Sequence, residues 1–205
     1  GTDAPYTGPF AGNSEKAKDL RHAFLLAIPR DQIVNTLIRP VMTSAKPMDT
    51  QFAFTGSSEY NTITKSSGVA EYSAGTQADR TAKALALVKK YYPDASDTNA
   101  GFTVKLAHAD SGTRRSITAL IAAEAKKAGI EVKEFNLPNF FDDGVYNGPA
   151  YDATMYGFGL NSISQSNGSA SGMAGGEGGR GTSGQSRKVF VGGLPPNATD
   201  DLLKS

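Results

Sequence analysis

The first half of the chain shows apolar residues at helical spacing in three segments. The first follows Ser14, which can cap a helix, and the second begins at Pro29 and stops before Pro40. The third runs from Ala78 to Tyr91, and residues 41–76, which show little periodicity, are predicted to form a long loop. The apolar positions of the three helices are Leu20, Ala23, Phe24, Ala27 and Ile28; Ile33, Val34, Leu37 and Ile38; and Ala82, Leu85, Val88 and Tyr92.

The second half begins with the pattern of a strand–helix–strand unit. Residues 102–106 alternate between apolar and polar, which predicts a strand, and residues 130–135 predict the next one. Gly129 is a candidate helix C-cap between them. Two such strands should be parallel with a right-handed crossover. Residues 138–146 are predicted as a short helix, and residues 151–156 as a third strand. The intervening helix has its apolar face at Ile117, Leu120, Ile121, Ala125 and Ala128.

The composition changes abruptly near Ser162. Residues 163–186 are rich in Ser and Gly with almost no apolar residue, so they are predicted to be a flexible linker. Residues 187–205 then read as a strand, a turn and the start of a helix. The predicted architecture is therefore an α/β lobe over residues 1–162, a linker, and a truncated strand–helix tail.

Composition and charge exclude several classes of function. The chain has 205 residues, a net charge of +1 and no cysteine, which rules out disulfides, thiolate metal sites and a strong global electrostatic field. No apolar run approaches the roughly 18 residues of a membrane helix, and we find no signal peptide. No catalytic triad, phosphate-binding loop or metal-ligand spacing is present. We therefore expect a protein that is not an enzyme and that needs no cofactor or metal.

Two positions are candidate ligand contacts. His108 closes the first strand, and the carboxyl end of a strand in an open α/β sheet faces the ligand crevice. It either contacts ligand there, with Asp110 as a possible partner, or packs in an ordinary loop. Phe158 lies between Gly157 and Gly159 just past the third strand. It serves either as a platform for a ligand or as a core residue.

Three passages, in matching order and spacing, resemble one family. They are residues 20–34; residues 84–93 with 101–106; and residues 122–132 with Tyr151-Asp152-Ala153 and Gly157-Phe158. From about Ser14 to Asn161 the chain is similar to part of the extracytoplasmic solute-binding proteins of peptide-type ABC transporters. The chain departs from the family at three positions: Pro29 replaces an Asp, Phe158 a Trp, and Asn161 an acidic residue that often grips a peptide amino terminus.

The resemblance implies a fold, a ligand and a location. It implies a partial lobe of the periplasmic-binding-protein type, whose first lobe is missing from this chain. It also implies non-covalent capture of a peptide or other small solute between two lobes, a transporter permease as partner, and a place in the periplasm or on the cell surface. The ligand contacts would be Gly157, Phe158, Asn161 and His108. A lone lobe exposes sheet edges, so we also expect it to aggregate.

The tail resembles a different family. Residues 188–195 are similar to the first strand of an RNA-recognition motif, in which Phe190 would stack on a base beside the basic Arg187 and Lys188. The alternative function is therefore RNA binding by a fragment joined to the lobe through a chimera, a misassembly or an engineered fusion. An incidental strand-like stretch in a disordered tail is the other interpretation.

Overall fold

The computed structural model describes residues 6–50, 53, 57–66, 68–139, 150–155, 157–159 and 187–189. Helices come first and a strand–helix–strand unit follows. The elements are α1 (Glu15–Leu26), α2 (Arg30–Ile33) continued by a π-helical turn (Val34–Ile38), α3 (Ser58–Ser66), a 3₁₀ turn (Val69–Tyr72), α4 (Gln77–Lys89), β1 (Phe102–Ala109), α5 (Gly112–Lys127), β2 (Ile130–Leu137), β3 (Ala153–Met155), β4 (Gly157–Gly159) and β5 (Arg187–Val189).

The main sheet has three parallel strands in the order β2-β1-β3. Val104 lies opposite Val132 in one pairing, and His108 lies opposite both Asn136 and Met155. The α/β class and the parallel strand–helix–strand unit are therefore confirmed. β4 pairs with β5 in a separate antiparallel ladder, with Gly157 opposite Val189.

Local sequence explains where two helices begin. The Ser14 hydroxyl accepts a hydrogen bond of 3.2 Å from the Ala17 amide, as its position predicts. At α4, Thr76 and Asp79 form a reciprocal capping box. The carboxylate of Asp79 accepts hydrogen bonds from the hydroxyl and the amide of Thr76, and these bonds lower its pKa. α4 therefore begins at Gln77, one residue before the predicted start.

The prediction of a loop over residues 41–76 is wrong in part, because α3 and the 3₁₀ turn lie within it. α3 is short, mostly polar and largely exposed, and its two apolar residues, Tyr60 and Ile63, are too few to predict a helix by themselves. A hydrogen bond to the preceding segment helps to hold it: the Tyr60 hydroxyl accepts a bond of 2.7 Å from the Asp49 amide. Arg30 ties the same segment to α2, since its guanidinium donates to the Met48 carbonyl and to Asp49.

The core lies between the helices and β1. α1 packs against α4, and α5 packs against β1 and β2. Burying this apolar surface is the main source of the stability of the fold. The fully buried large apolar side chains include Leu20, Leu26, Ile33, Val34, Ile38, Val88, Val104, Ile117, Ile121 and Ile130.

Gly129 forms the tight turn between α5 and β2. Its φ angle is +71°, a left-handed conformation that only glycine adopts freely, which confirms the predicted cap. A Cβ at this position would lie 2.9 Å from the Cβ of Ala95, so both the backbone and the available space require glycine.

Several predicted features lie outside the described residues. They include most of the short helix at 138–146, the side chain of Phe158, and the linker. The division of the chain at Ser162 stays a prediction.

Asp152 fastens the N-terminal segment to the sheet. Its carboxylate accepts hydrogen bonds of 2.7 Å from the Tyr6 hydroxyl and of 2.7 Å from the Lys105 amide. Its own amide donates to the Lys105 carbonyl at 3.0 Å. Burial, followed by the hydrogen bond to Asp152, raises the pKa of Tyr6 to about 12.

We expect this tyrosine to make the fold sensitive to alkaline pH. A raised pKa means that the native state holds the phenolic proton more tightly, so its contribution is complete below a pH of about 10 and is lost as the pH rises toward 12. Tyr6→Phe should remove that part of the pH dependence and lower the free energy of unfolding at pH 7 by about 0.5–1.5 kcal/mol. Urea titrations of both proteins between pH 7 and 12 measure this, and parallel stability curves would contradict it.

Candidate ligand-binding site

The carboxyl ends of the three parallel strands meet at one edge of the sheet. Ala109 of β1 lies opposite Leu137 of β2, and Met155 of β3 lies opposite His108. Ligands of open α/β sheets bind outside this edge. Gly157 follows Met155 by two residues, so the chain brings the backbone of the Gly157–Gly159 strand to the same edge.

Three polar side chains, the edge cluster of Asp110, Arg115 and Asn136, converge at this edge. Asp110 directly follows β1, and its Oδ1 pairs with the Arg115 guanidinium from the first turn of α5. Asn136, near the end of β2, donates its amide to the same oxygen at 3.1 Å. Asp110 and Arg115 are both about half exposed, so a bound molecule can reach them. The cluster offers an anion and a cation side by side.

His108 lies beneath this edge, with its side chain 0% exposed. Its Nδ1 is 2.9 Å from the Ala109 carbonyl oxygen, which can only accept, so this nitrogen carries a hydrogen. Its Nε2 is 3.2 Å from Glu134 Oε1, without the alignment of a hydrogen bond. The carboxylate beside His108 is therefore that of Glu134. The sequence had instead suggested Asp110 as the partner of His108. Ligand contact by His108 stays a prediction.

The remaining predicted site residues are described only in part. Gly157 and Phe158 are placed as backbone in β4, so the choice between ligand platform and core residue for the Phe158 ring stays open. Arg187 and Lys188 are backbone partners of Gly159 and Phe158. Asn161 and Phe190 lie outside the described residues.

An apolar groove that the sequence did not predict runs between α1 and β3. It has a volume of about 430 Å³, and Leu25 on its rim is 44% exposed. Arg21 is the basic residue among those that line the groove. Its guanidinium donates hydrogen bonds of 2.6 Å to the Phe10 carbonyl and 3.0 Å to the Gly12 carbonyl. The lining residues are Phe10, Arg21, Phe24, Leu25, Ile28, Leu106, Ile121, Ala153, Thr154 and Met155.

Sequence reasoning missed Arg115 and Asn136 as members of the site. Asn136 carries a usable signal, because it precedes the end of a strand predicted to run parallel to that of His108. Arg115 carries none, since only the folded first turn of α5 directs it back to Asp110.

Among the residues that the structure describes, no group of three or more histidine and acidic side chains could hold a metal ion. In the same part of the chain, the helices fall short of the length and hydropathy of a membrane span.

Comparison with known proteins gives a family match. The model of the bacterial extracellular solute-binding proteins, family 5, middle region, matches residues 5–179. This range runs into the predicted linker. None of the curated proteins matches the chain.

Solved structures of peptide-binding proteins have a similar fold. OppA of Haemophilus influenzae, in complex with the peptide RPPGFSPFR, is 18% identical with a TM-score of 0.51, and the match covers 73% of this chain and 28% of that one. The Escherichia coli murein tripeptide binding protein MppA is 19% identical with a TM-score of 0.48, over 72% of this chain and 26% of that one. This chain therefore spans about a quarter of the length of these structures.

Proposed function

Because the chain belongs to the bacterial extracellular solute-binding proteins of family 5, we propose that it forms one wall of a peptide-binding cleft in the receptor of an ABC transporter. Members of this family bind solutes without transforming them, so the chain is a binding protein and not an enzyme. The observation that carries the proposal is the convergence of three parallel strand ends, the Gly157–Gly159 backbone and the edge cluster at one edge of the sheet.

The chemistry of this edge suits a peptide. A peptide presents amide donors and acceptors along its backbone and opposite charges at its ends. Arg115 and Asp110 are both half exposed, and hydrogen bonds to charged groups are stronger than neutral ones. An aromatic ring at Phe158 would add apolar cover for a side chain of the ligand. OppA of Haemophilus influenzae, which has a similar fold, binds the peptide RPPGFSPFR.

A complete peptide-binding cleft needs a second protein surface facing this sheet edge. Ligand pockets typically bury about 70–90% of the ligand surface, which one open sheet edge does not do. We therefore expect this chain alone to bind peptide more weakly than a two-lobed receptor does. A permease partner and an extracytoplasmic location belong to the same proposal.

A titration followed by nuclear magnetic resonance tests the site. We expect RPPGFSPFR to shift the backbone amides of Asp110, Ser111, Asn136 and Gly157, and Phe158→Ala to weaken binding by at least about tenfold. Phe158→Tyr keeps the ring and should stay within about threefold of the wild type.

The same titration separates the two candidate functions. A labelled single-stranded RNA oligomer should leave the spectrum unchanged. Shifts caused by RNA and lost in Phe190→Ala, with no response to peptide, would overturn the proposal in favour of RNA binding.

A further inference from the structure

β2 is an edge strand of the main sheet. β1 pairs with one side of it over Ile130–Leu137, and none of the described strands pairs with the other side. An unpaired edge presents a row of backbone donors and acceptors, which another strand can satisfy.

Glu131 and Lys133 give the edge alternating charge. They lie two residues apart in a strand, so they project from the same face of the sheet. Their side chains are 47% and 60% exposed, with Lys133 Nζ 3.4 Å from Glu131 Oε2. Thr103 donates a hydrogen bond of 2.6 Å to that same oxygen and fixes the carboxylate. A matching partner strand would place a basic residue opposite Glu131 and an acidic residue opposite Lys133.

A second copy of β2 running antiparallel has this order. With a two-fold axis at Val132, Glu131 of each copy lies directly opposite Lys133 of the other. Opposite charges facing each other across strands stabilise pairing, and like charges destabilise it. On the other face this register sets Ile130 against Glu134, which brings no like charges together.

The neighbouring registers fit less well. An axis at Lys133 sets lysine against lysine, and an axis at Glu134 sets glutamate against glutamate. An axis at Phe135 sets Lys133 against Leu137 and forms no ion pair. We therefore propose that the outer edge of β2 is a self-association surface, which pairs with β2 of a second copy about a two-fold axis at Val132. This surface is independent of the proposed peptide site.

Charge reversal and charge exchange test the surface in the full chain. Analytical ultracentrifugation should show a reversible dimer that weakens with salt. Glu131→Lys or Lys133→Glu should each raise the dimer dissociation constant by about tenfold or more, because each change creates two repulsive pairs. The double exchange Glu131→Lys/Lys133→Glu recreates both ion pairs and should return the constant to within about threefold of the wild type.

Two results would overturn the proposal: a wild-type chain that stays monomeric at all concentrations, or a double exchange that fails to restore dimerisation. Circular dichroism and a urea titration establish that each variant is folded. Both side chains are largely exposed, so their replacement leaves the core intact.

A cross-link tests the register. The chain has no cysteine, so Val132→Cys introduces a single thiol near the axis. We expect it to form a disulfide-linked dimer on mild oxidation, while Phe135→Cys and the exposed Ala123→Cys on α5 do not. If Val132→Cys does not fold, carbodiimide coupling of the wild-type chain should join Glu131 to Lys133 of the other copy. Preferential cross-linking through Phe135→Cys would contradict the proposed register.

Discussion

Replacement of Arg30 by alanine is expected to lower the free energy of unfolding by about 3 kcal/mol, the lower end of the cost of breaking a buried ion pair, because the Asp49 side chain is 22% exposed. Arg30 is only 7% exposed. Its Nη2 donates to the Met48 carbonyl and to Asp49 Oδ1, both at 2.6 Å, and its Nη1 donates to the Tyr72 carbonyl at 3.4 Å. The variant leaves a carboxylate and two carbonyls without this partner.

Urea unfolding of the full chain measures the effect, and Arg39→Ala is the matched control. Arg39 is exposed and donates its Nε to one carbonyl, that of Ala45, at 3.0 Å, so its loss should cost about 1 kcal/mol or less. The double variant Arg30→Met/Asp49→Leu removes the unpaired carboxylate as well. Its loss of free energy of unfolding should be smaller than the sum of the losses for Arg30→Met and Asp49→Leu. Equal losses for Arg30→Ala and Arg39→Ala would refute the anchoring role of Arg30.

Leu20→Ala is expected to cost about 2–5 kcal/mol, because it opens a cavity where α1 packs on the core. Leu20 is 0% exposed, whereas Leu25, five positions along the same helix, is 44% exposed. Leu25→Ala removes the same atoms and changes helix propensity equally, so it should cost less than about 1 kcal/mol. The difference between the urea midpoints of Leu20→Ala and Leu25→Ala measures the destabilisation caused by the cavity. Similar midpoints would mean that α1 does not contribute to the core.

The sequence predicts best those elements whose apolar residues face a core. Leu20 and Phe24 repeat at helical spacing, Val104 and Leu106 alternate, and α1, α5 and the parallel strands follow from these patterns. α3 escapes because its neighbours hold it through polar contacts such as Tyr60 with Asp49. A short helix with only two apolar residues, Tyr60 and Ile63, gives too little pattern for the sequence to predict it.

The candidate site is predictable only where it depends on strand ends. The position of His108 at the end of β1 follows from the alternation of the strand. That Glu134 lies beside it, and that Asn136 and Arg115 share Asp110, depends on the register of β2 and on the first turn of α5. Apolar periodicity places strands and helices, and it does not align the polar side chains of different elements with one another.

The strand order also shapes how the chain acquires its fold. β1, which precedes β2 and β3 in the chain, lies in the middle of the sheet, and its two neighbours are synthesised at very different times after it. β2 follows after a single helix, so this pairing closes a short loop and has the lower entropic cost. β3 joins from much farther along the chain. During translation the nascent β1–α5–β2 unit can therefore become structured first, with the open flank of β1 waiting for the later strand.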